Sequence, residues 1–266
     1  MSIITERKGT LEYLVSEEIS VPHCFTTRLG GVSRGHLESL NIGMHRGDAP
    51  ENVAKNIEIL ANAIGFSPKN LVLTRQEHTD FVRVVTKGEH LGLNHHDYPV
   101  CDAMITNDPG TALMVFTADC TPILLHDPVT GAVGAIHAGW RGTAADITGK
   151  TVEAMVSVFG CDPQNIRGAI GPNLDVCCFE TDWDVPEAMR ATFGEAVNIW
   201  IRPKNNKYYV NLKEINAHAL RRRGVARIAI SRDCTMCQPD RFWSHRVTRG
   251  VRGSQGAIIC CKEAIK

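Results

Sequence analysis

The sequence predicts one α+β domain over residues 1–266, a compact stack of mixed sheets covered by helices. Three observations carry this. Short runs rich in Val, Ile and Ala alternate with amphipathic stretches along the whole chain. Several of those runs follow one another without a helical stretch between them, which disfavours a doubly wound sheet. No linker, low-complexity tract or internal repeat divides the 266 residues, and at 43% hydrophobic they can bury a full core.

The helices are predicted from periodicity and end signals. Glu51–Ile64 puts Val53, Ile57, Leu60, Ala61 and Ile64 on one face, with Pro50 at its start and Gly65 at its end. Thr143–Phe159 turns Ile147, Ala154, Met155 and Val158 inward and stops at Gly160. Asn211–Arg223 turns Leu212, Ile215, Ala219 and Leu220 inward and stops at Gly224. The strands predicted are Leu11–Val15, Cys24–Thr27, Leu71–Leu73, Val82–Val85, Ala103–Ile105 and Ala112–Phe116. Ile123–Leu125, Val133–Ile136, Gly168–Ile170, Ile199–Ile201, Ile228–Ile230 and Ala257–Cys260 complete them.

Charge excludes some partners. Lys plus Arg and Asp plus Glu both number 29, so formal net charge is zero and a nucleic-acid-coating surface is not expected. The run Arg221-Arg222-Arg223 ends a helix, where cations complement the helix dipole. No stretch reads as a signal peptide or a membrane span, which predicts a cytoplasmic protein. A monomer or weak homo-oligomer is expected. Ten cysteines without an export signal predict reduced thiols rather than a disulfide framework. Cys177-Cys178 and Cys260-Cys261 are adjacent pairs, poorly placed to bond to each other. Cys234-Thr-Met-Cys237 is a single CxxC and an incomplete zinc ribbon; it reads as core packing ahead of a redox pair.

The residues that point to chemistry are His78, Cys120 and His137. Each stands where a predicted strand meets a polar or glycine-rich turn: Leu71-Val-Leu-Thr-Arg-Gln-Glu-His78, Ala112-Leu-Met-Val-Phe-Thr-Ala-Asp-Cys120, and Ala132-Val-Gly-Ala-Ile-His137. Three neighbouring strands could bring them to one ion at the mouth of a sheet. Two imidazoles and a thiolate suit zinc, and three protein ligands leave the open position that a catalytic site uses. The competing reading is three buried small side chains.

Further motifs occur in order: Thr26-Thr-Arg-Leu-Gly-Gly-Val-Ser33, Ser39-Leu-Asn-Ile-Gly43, Gln76-Glu-His78, Thr117-Ala-Asp-Cys-Thr-Pro122, His137-Ala-Gly-Trp-Arg-Gly142, Ile170-Gly-Pro172, and Cys234-Thr-Met-Cys237 with Ser244 and Arg246. Together they resemble the laccase-domain family, also called YfiH-type or multicopper polyphenol oxidase proteins and described as purine nucleoside phosphorylases. The resemblance runs from about residue 22 to the C-terminus. It implies an α/β fold in stacked layers and a single zinc site, placed on His78, Cys120 and His137. It also implies phosphorolysis of adenosine, inosine and methylthioadenosine with phosphate, with some adenosine deamination. The sequence departs from the family at Thr79 and Cys24, where glycines are usual, and at His245, where tyrosine is usual. His245 bears on how a nucleoside would be held.

Phosphorolysis needs an anion site. Arg28 and Arg141 lie in glycine-bounded turns where guanidinium and backbone N–H groups can hold phosphate together, and Arg246 is a third choice. Asn41 is a partner for ribose or base. Asp119, beside Cys120, is expected to orient a ligand histidine or move a proton. His23, His36, His45, His90, His95, His96 and His126 lack such context. Copper is a lesser alternative. Eleven histidines include no His-x-His pair, and a lone site does not reduce oxygen by four electrons. A metal-free hydrolase using Cys120 as nucleophile and His137 as base is a further alternative.

Overall fold

The computed structural model describes residues 2–86, 88–89, 93 and 98–262; His90, His95 and His96 lie outside the described residues. In chain order the strands are β1 (Ile3–Lys8), β2 (Leu11–Ser16), β3 (His23–Thr26), β4 (Leu71–Val72), β5 (Val82–Val84), β6 (Ala103–Thr106), β7 (Ala112–Thr117) and β8 (Thr121–His126). They continue with β9 (Val133–Ala138), β10 (Arg167–Ile170), β11 (Glu180–Thr181), β12 (Ile201–Lys204), β13 (Lys207–Val210), β14 (Arg227–Ile230) and β15 (Gln255–Cys260). The α-helices are α1 (Pro50–Ile64), α2 (Trp140–Ala144), α3 (Ile147–Phe159), α4 (Asp184–Phe193), α5 (Leu212–Arg222) and α6 (His245–Thr248).

Two six-stranded mixed sheets dominate, in the orders β1-β2-β3-β15-β7-β4 and β14-β10-β8-β9-β6-β5; β11-β13-β12 forms a small third sheet. Strand alternation explains how they stack. On β7, Leu113 and Val115 pack with Leu124 and Ala135 of the second sheet, while Ala112 and Met114 face α1 through Ile57 and Leu60. On the second sheet, Leu124 points to the first sheet while Ile123 and Leu125 turn to α3 and α5. The result is helix, sheet, sheet, helix. Side chains such as Ile57 and Leu60 are fully buried, each worth roughly 1.5–3 kcal/mol.

The expected mixed α+β architecture is the one observed, with local differences. The stretch predicted as one helix over Thr143–Phe159 is broken at Asp146, which has φ 57° and caps α3 by accepting from the Gly149 N–H. Its carboxylate also takes the Arg223 guanidinium at 2.7 Å, so the arginine run ends in an ion pair. Most of Ile199–Ile201 belongs to a 3₁₀ turn, and the strand there begins at Ile201. β1 was not predicted because it is an exposed edge strand without apolar alternation; its backbone pairs antiparallel with β2. Among the described residues no helix is long and apolar enough to cross a membrane.

Candidate metal centre and cavity

His78, Cys120 and His137 do converge, but between the two sheets rather than on one. Cys120 lies in the turn where the chain leaves β7 of the first sheet for β8 of the second. His78 lies on the passage from β4 to β5, which likewise changes sheet, and His137 is near the end of β9. Their donor atoms all fall within 4.8 Å of one another, with Cys120 Sγ 3.7 Å from His78 Nε2. A tetrahedral zinc with bonds of about 2.0–2.3 Å sets neighbouring donors roughly 3.4–3.8 Å apart. The donor set therefore fits such an ion. His137 is buried and His78 exposed, so one side stays open.

Local backbone explains the convergence. Gln76 pins the His78 loop to β7, its amide donating to the Phe116 carbonyl and accepting from the Phe116 N–H, both at 2.7 Å. His78 at φ 61° and Asp119 at φ 87° sit in the left-handed region, a strain that surrounding contacts must hold. A Cβ on Gly139 would lie 2.6 Å from His78 Cδ2 and 3.3 Å from Cys120 Sγ, so the glycine of the His137-Ala-Gly motif makes room for the donors.

The residue that orients the centre is Asp102, which the sequence reading missed. Fully buried, it accepts from the His137 Nδ1–H at 2.7 Å, from the backbone N–H groups of Glu77, His78 and Thr79, and from the Thr79 hydroxyl. One carboxylate thus fixes both histidine-bearing segments, and Thr79 adds a hydroxyl bond that a glycine there would lack. Asp119 does not do this. Its carboxylate accepts from the Thr235 hydroxyl at 2.6 Å and the Arg246 N–H at 2.7 Å, which places it on the cavity wall.

Electrostatics follow from these contacts. Burial alone would push the Cys120 thiol up, yet the charge of His137 and hydrogen bonds from both histidines bring it down to about 6. Burial opposes protonation of His137, but Cys120 and Asp102 raise it to about 9. Burial of Asp102 is likewise outweighed by bonds from His137 and Thr79, holding it at about 2. Without metal, Cys120 and His137 form a thiolate–imidazolium pair between about pH 6 and 9. The pair's stabilisation is lost as pH falls through the Cys120 value or rises through the His137 value. In chelator-stripped protein, alkylation of Cys120, followed by peptide mass spectrometry, is expected to rise through about pH 6 rather than the usual 8.5. A midpoint at the usual thiol value would contradict the pairing.

The centre opens into a cavity of about 670 Å³. Phe116, Trp140, Phe179 and Tyr98 supply flat apolar walls, and Arg46, Arg75, Arg246 and Arg252 supply cations, with His45 and His245 nearby. Of the expected anion ligands, only Arg246 lines it. Arg28 is spent elsewhere: it donates to the carbonyls of Glu38 and Pro239 and lies 3.9 Å over the Trp243 ring, bracing a loop. Arg141 is exposed with its guanidinium 4.3 Å from the Trp140 ring, outside the cavity lining. Asn41 is fully buried and satisfied, accepting from Gly43 and Ser254 N–H and donating to Asp48. Arg252 lines the cavity as well. Its buried Nε has no partner among the described residues, and burial together with Arg46 lowers it to about 10. Burial, with Arg252 and Arg46 beside it, likewise holds His245 below its ordinary value. His45, set aside on sequence, lines the cavity, whereas His23 is satisfied by Ser16 and Val21.

Two face-packed mixed sheets with a His–Cys–His centre at the corner between them, opening on an arginine-lined cavity, define a recognisable class. The sequence matches the family described as multi-copper polyphenol oxidoreductase laccase over residues 22–262, and the chain belongs to that family. Among relatives, a purine nucleoside phosphorylase of Deinococcus radiodurans is 36% identical over 94% of this chain and 92% of that one. Purine nucleoside phosphorylase YlmD of Bacillus subtilis is 34% identical over 90% and 88%. The solved structure of YlmD from Geobacillus stearothermophilus superposes with TM-score 0.91 at 32% identity, covering 98% of this chain and all of the other.

Proposed function

We propose that this chain is a zinc-dependent purine nucleoside phosphorylase that cleaves adenosine, inosine and methylthioadenosine, and that it also deaminates adenosine. The observation that carries this is the three-donor centre and an arginine group sharing one cavity of nucleoside size. Relatives named purine nucleoside phosphorylase at 34–36% identity support it. His78, Cys120 and His137 would hold the ion, which would supply a Lewis acid. Arg252 and Arg46 hold the phosphate dianion, and the aromatic walls hold the purine. A phosphate oxygen bonds to C1′ of the ribose as the C1′–N9 bond breaks. The proton of hydrogen phosphate leaves with the purine, giving free base and ribose 1-phosphate, or 5-methylthioribose 1-phosphate from methylthioadenosine. In deamination, water replaces the C6 amine and ammonia departs.

A hydrolase reading is favoured by one observation, the Asp102–His137–Cys120 chain. A copper oxidase is not supported: among the described residues one histidine-containing donor group comes together, and multicopper chemistry needs several. The test is chromatography of adenosine and inosine with and without phosphate, before and after chelation. Phosphate-dependent release of adenine or hypoxanthine that zinc restores supports the proposal; activity indifferent to phosphate and chelator defeats it. Arg252→Ala is expected to raise the phosphate KM about 10- to 100-fold, or about 1.5–3 kcal/mol, and Arg141→Ala to leave it nearly unchanged. The reverse order would move the anion site to α2.

A further inference from the structure

Four cysteines outside the cavity remain unused by this chemistry. The sulfurs of Cys177, Cys178, Cys234 and Cys237 all lie within 4.8 Å of one another. The Cys237 sulfur is 3.4 Å from that of Cys178 and 3.6 Å from that of Cys177. These distances are far beyond a disulfide bond of about 2.05 Å. They are close to the roughly 3.8 Å between sulfurs bonded at about 2.3 Å to one tetrahedral zinc. The quartet has room at its centre for a single ion. Core packing does not account for it, because Cys177 and Cys237 are exposed.

The two loops that carry these thiols are held in place by other bonds. Lys213, almost wholly buried, donates to the Asp175 carboxylate at 2.9 Å and to the Asp233 carbonyl at 2.7 Å, tying together the residues that precede each cysteine pair. The Thr235 N–H donates to the Asn173 carbonyl at 2.9 Å. We propose that Cys177, Cys178, Cys234 and Cys237 form a second metal site, a closed tetrathiolate centre that takes one zinc. The CxxC that looked incomplete in sequence finds its other half in the adjacent pair Cys177-Cys178. Its role is structural, since four protein ligands leave no open position. It braces the loop whose Thr235 hydroxyl holds Asp119 on the cavity wall.

The test is metal content by plasma mass spectrometry with native mass measurement, on protein purified under reducing conditions. His78→Ala protein is expected to keep one zinc per chain. His78→Ala combined with Cys237→Ser is expected to keep none, with its fold checked by circular dichroism. Cobalt-loaded His78→Ala should show the intense sulfur-to-cobalt absorption of four thiolates, and adding Cys237→Ser to it should remove that absorption. Zinc-free His78→Ala protein would overturn the proposal. So would an ion that survives in the combined His78→Ala, Cys237→Ser protein, or a mass two hydrogens low that marks a disulfide among the four. None of these readouts uses a nucleoside, so an error about the cavity's substrate leaves the test intact.

Discussion

His78→Ala should lose its cavity zinc and nearly all phosphorolysis together. Removing one of three donors leaves an ion with two, and the exposed His78 ring is the one donor whose loss opens the site to water without unpacking the core. We expect a fall in kcat/KM of at least about 1,000-fold, or about 4 kcal/mol of transition-state stabilisation. Cys120→Ala and His137→Ala should follow it. The comparison separates two mechanisms. If Cys120 is a nucleophile served by His137 and Asp102, His78 matters little and chelation does nothing. His78→Ala protein that stays active with no zinc in its cavity would refute the metal reading.

Asp102→Asn should be nearly as damaging, through a residue that touches no ion. The carboxylate accepts from His137, from three backbone N–H groups and from Thr79. An amide turns one acceptor into a donor facing those N–H groups. Loss of such an orienting partner costs about 10- to 100-fold in metal affinity. Breaking a buried charged pair adds about 3–5 kcal/mol of instability, roughly 10 °C in Tm. Zinc titration against a competing chelator reads the first and thermal unfolding the second. An unchanged zinc affinity would show that Asp102 serves the fold alone.

The donors were legible because each closes a hydrophobic run whose direction the sequence sets: β7 ends at Thr117 three residues before Cys120, and β9 carries His137 near its end. Motif context sharpened them. The arginines were not legible on the same grounds. Arg28 and Arg141 stand beside glycines in the sequence as an anion site requires, yet Arg28 meets the Glu38 and Pro239 carbonyls, and Arg141, within α2, stacks on its neighbour Trp140. Asp102 had no signal beyond a polar residue at a strand start, and Arg252 none beyond a charge near Gly253.

What the sequence determined by itself is local and periodic. It set the alternation that stacks two sheets between helices, the caps of α1 and α5, and the three residues able to hold a soft or borderline ion. Tertiary structure decided which side chains face one another. Asp102 reaches His137 across 35 residues, and Cys177 and Cys178 reach Cys237 across 60 and 59. Chain spacing encodes rise and period along a strand or helix. The direction in which a loop side chain is aimed is instead fixed by the contacts that oppose it. Those contacts exist only once β7 and β8 have parted into different sheets and Lys213 has drawn two distant loops together.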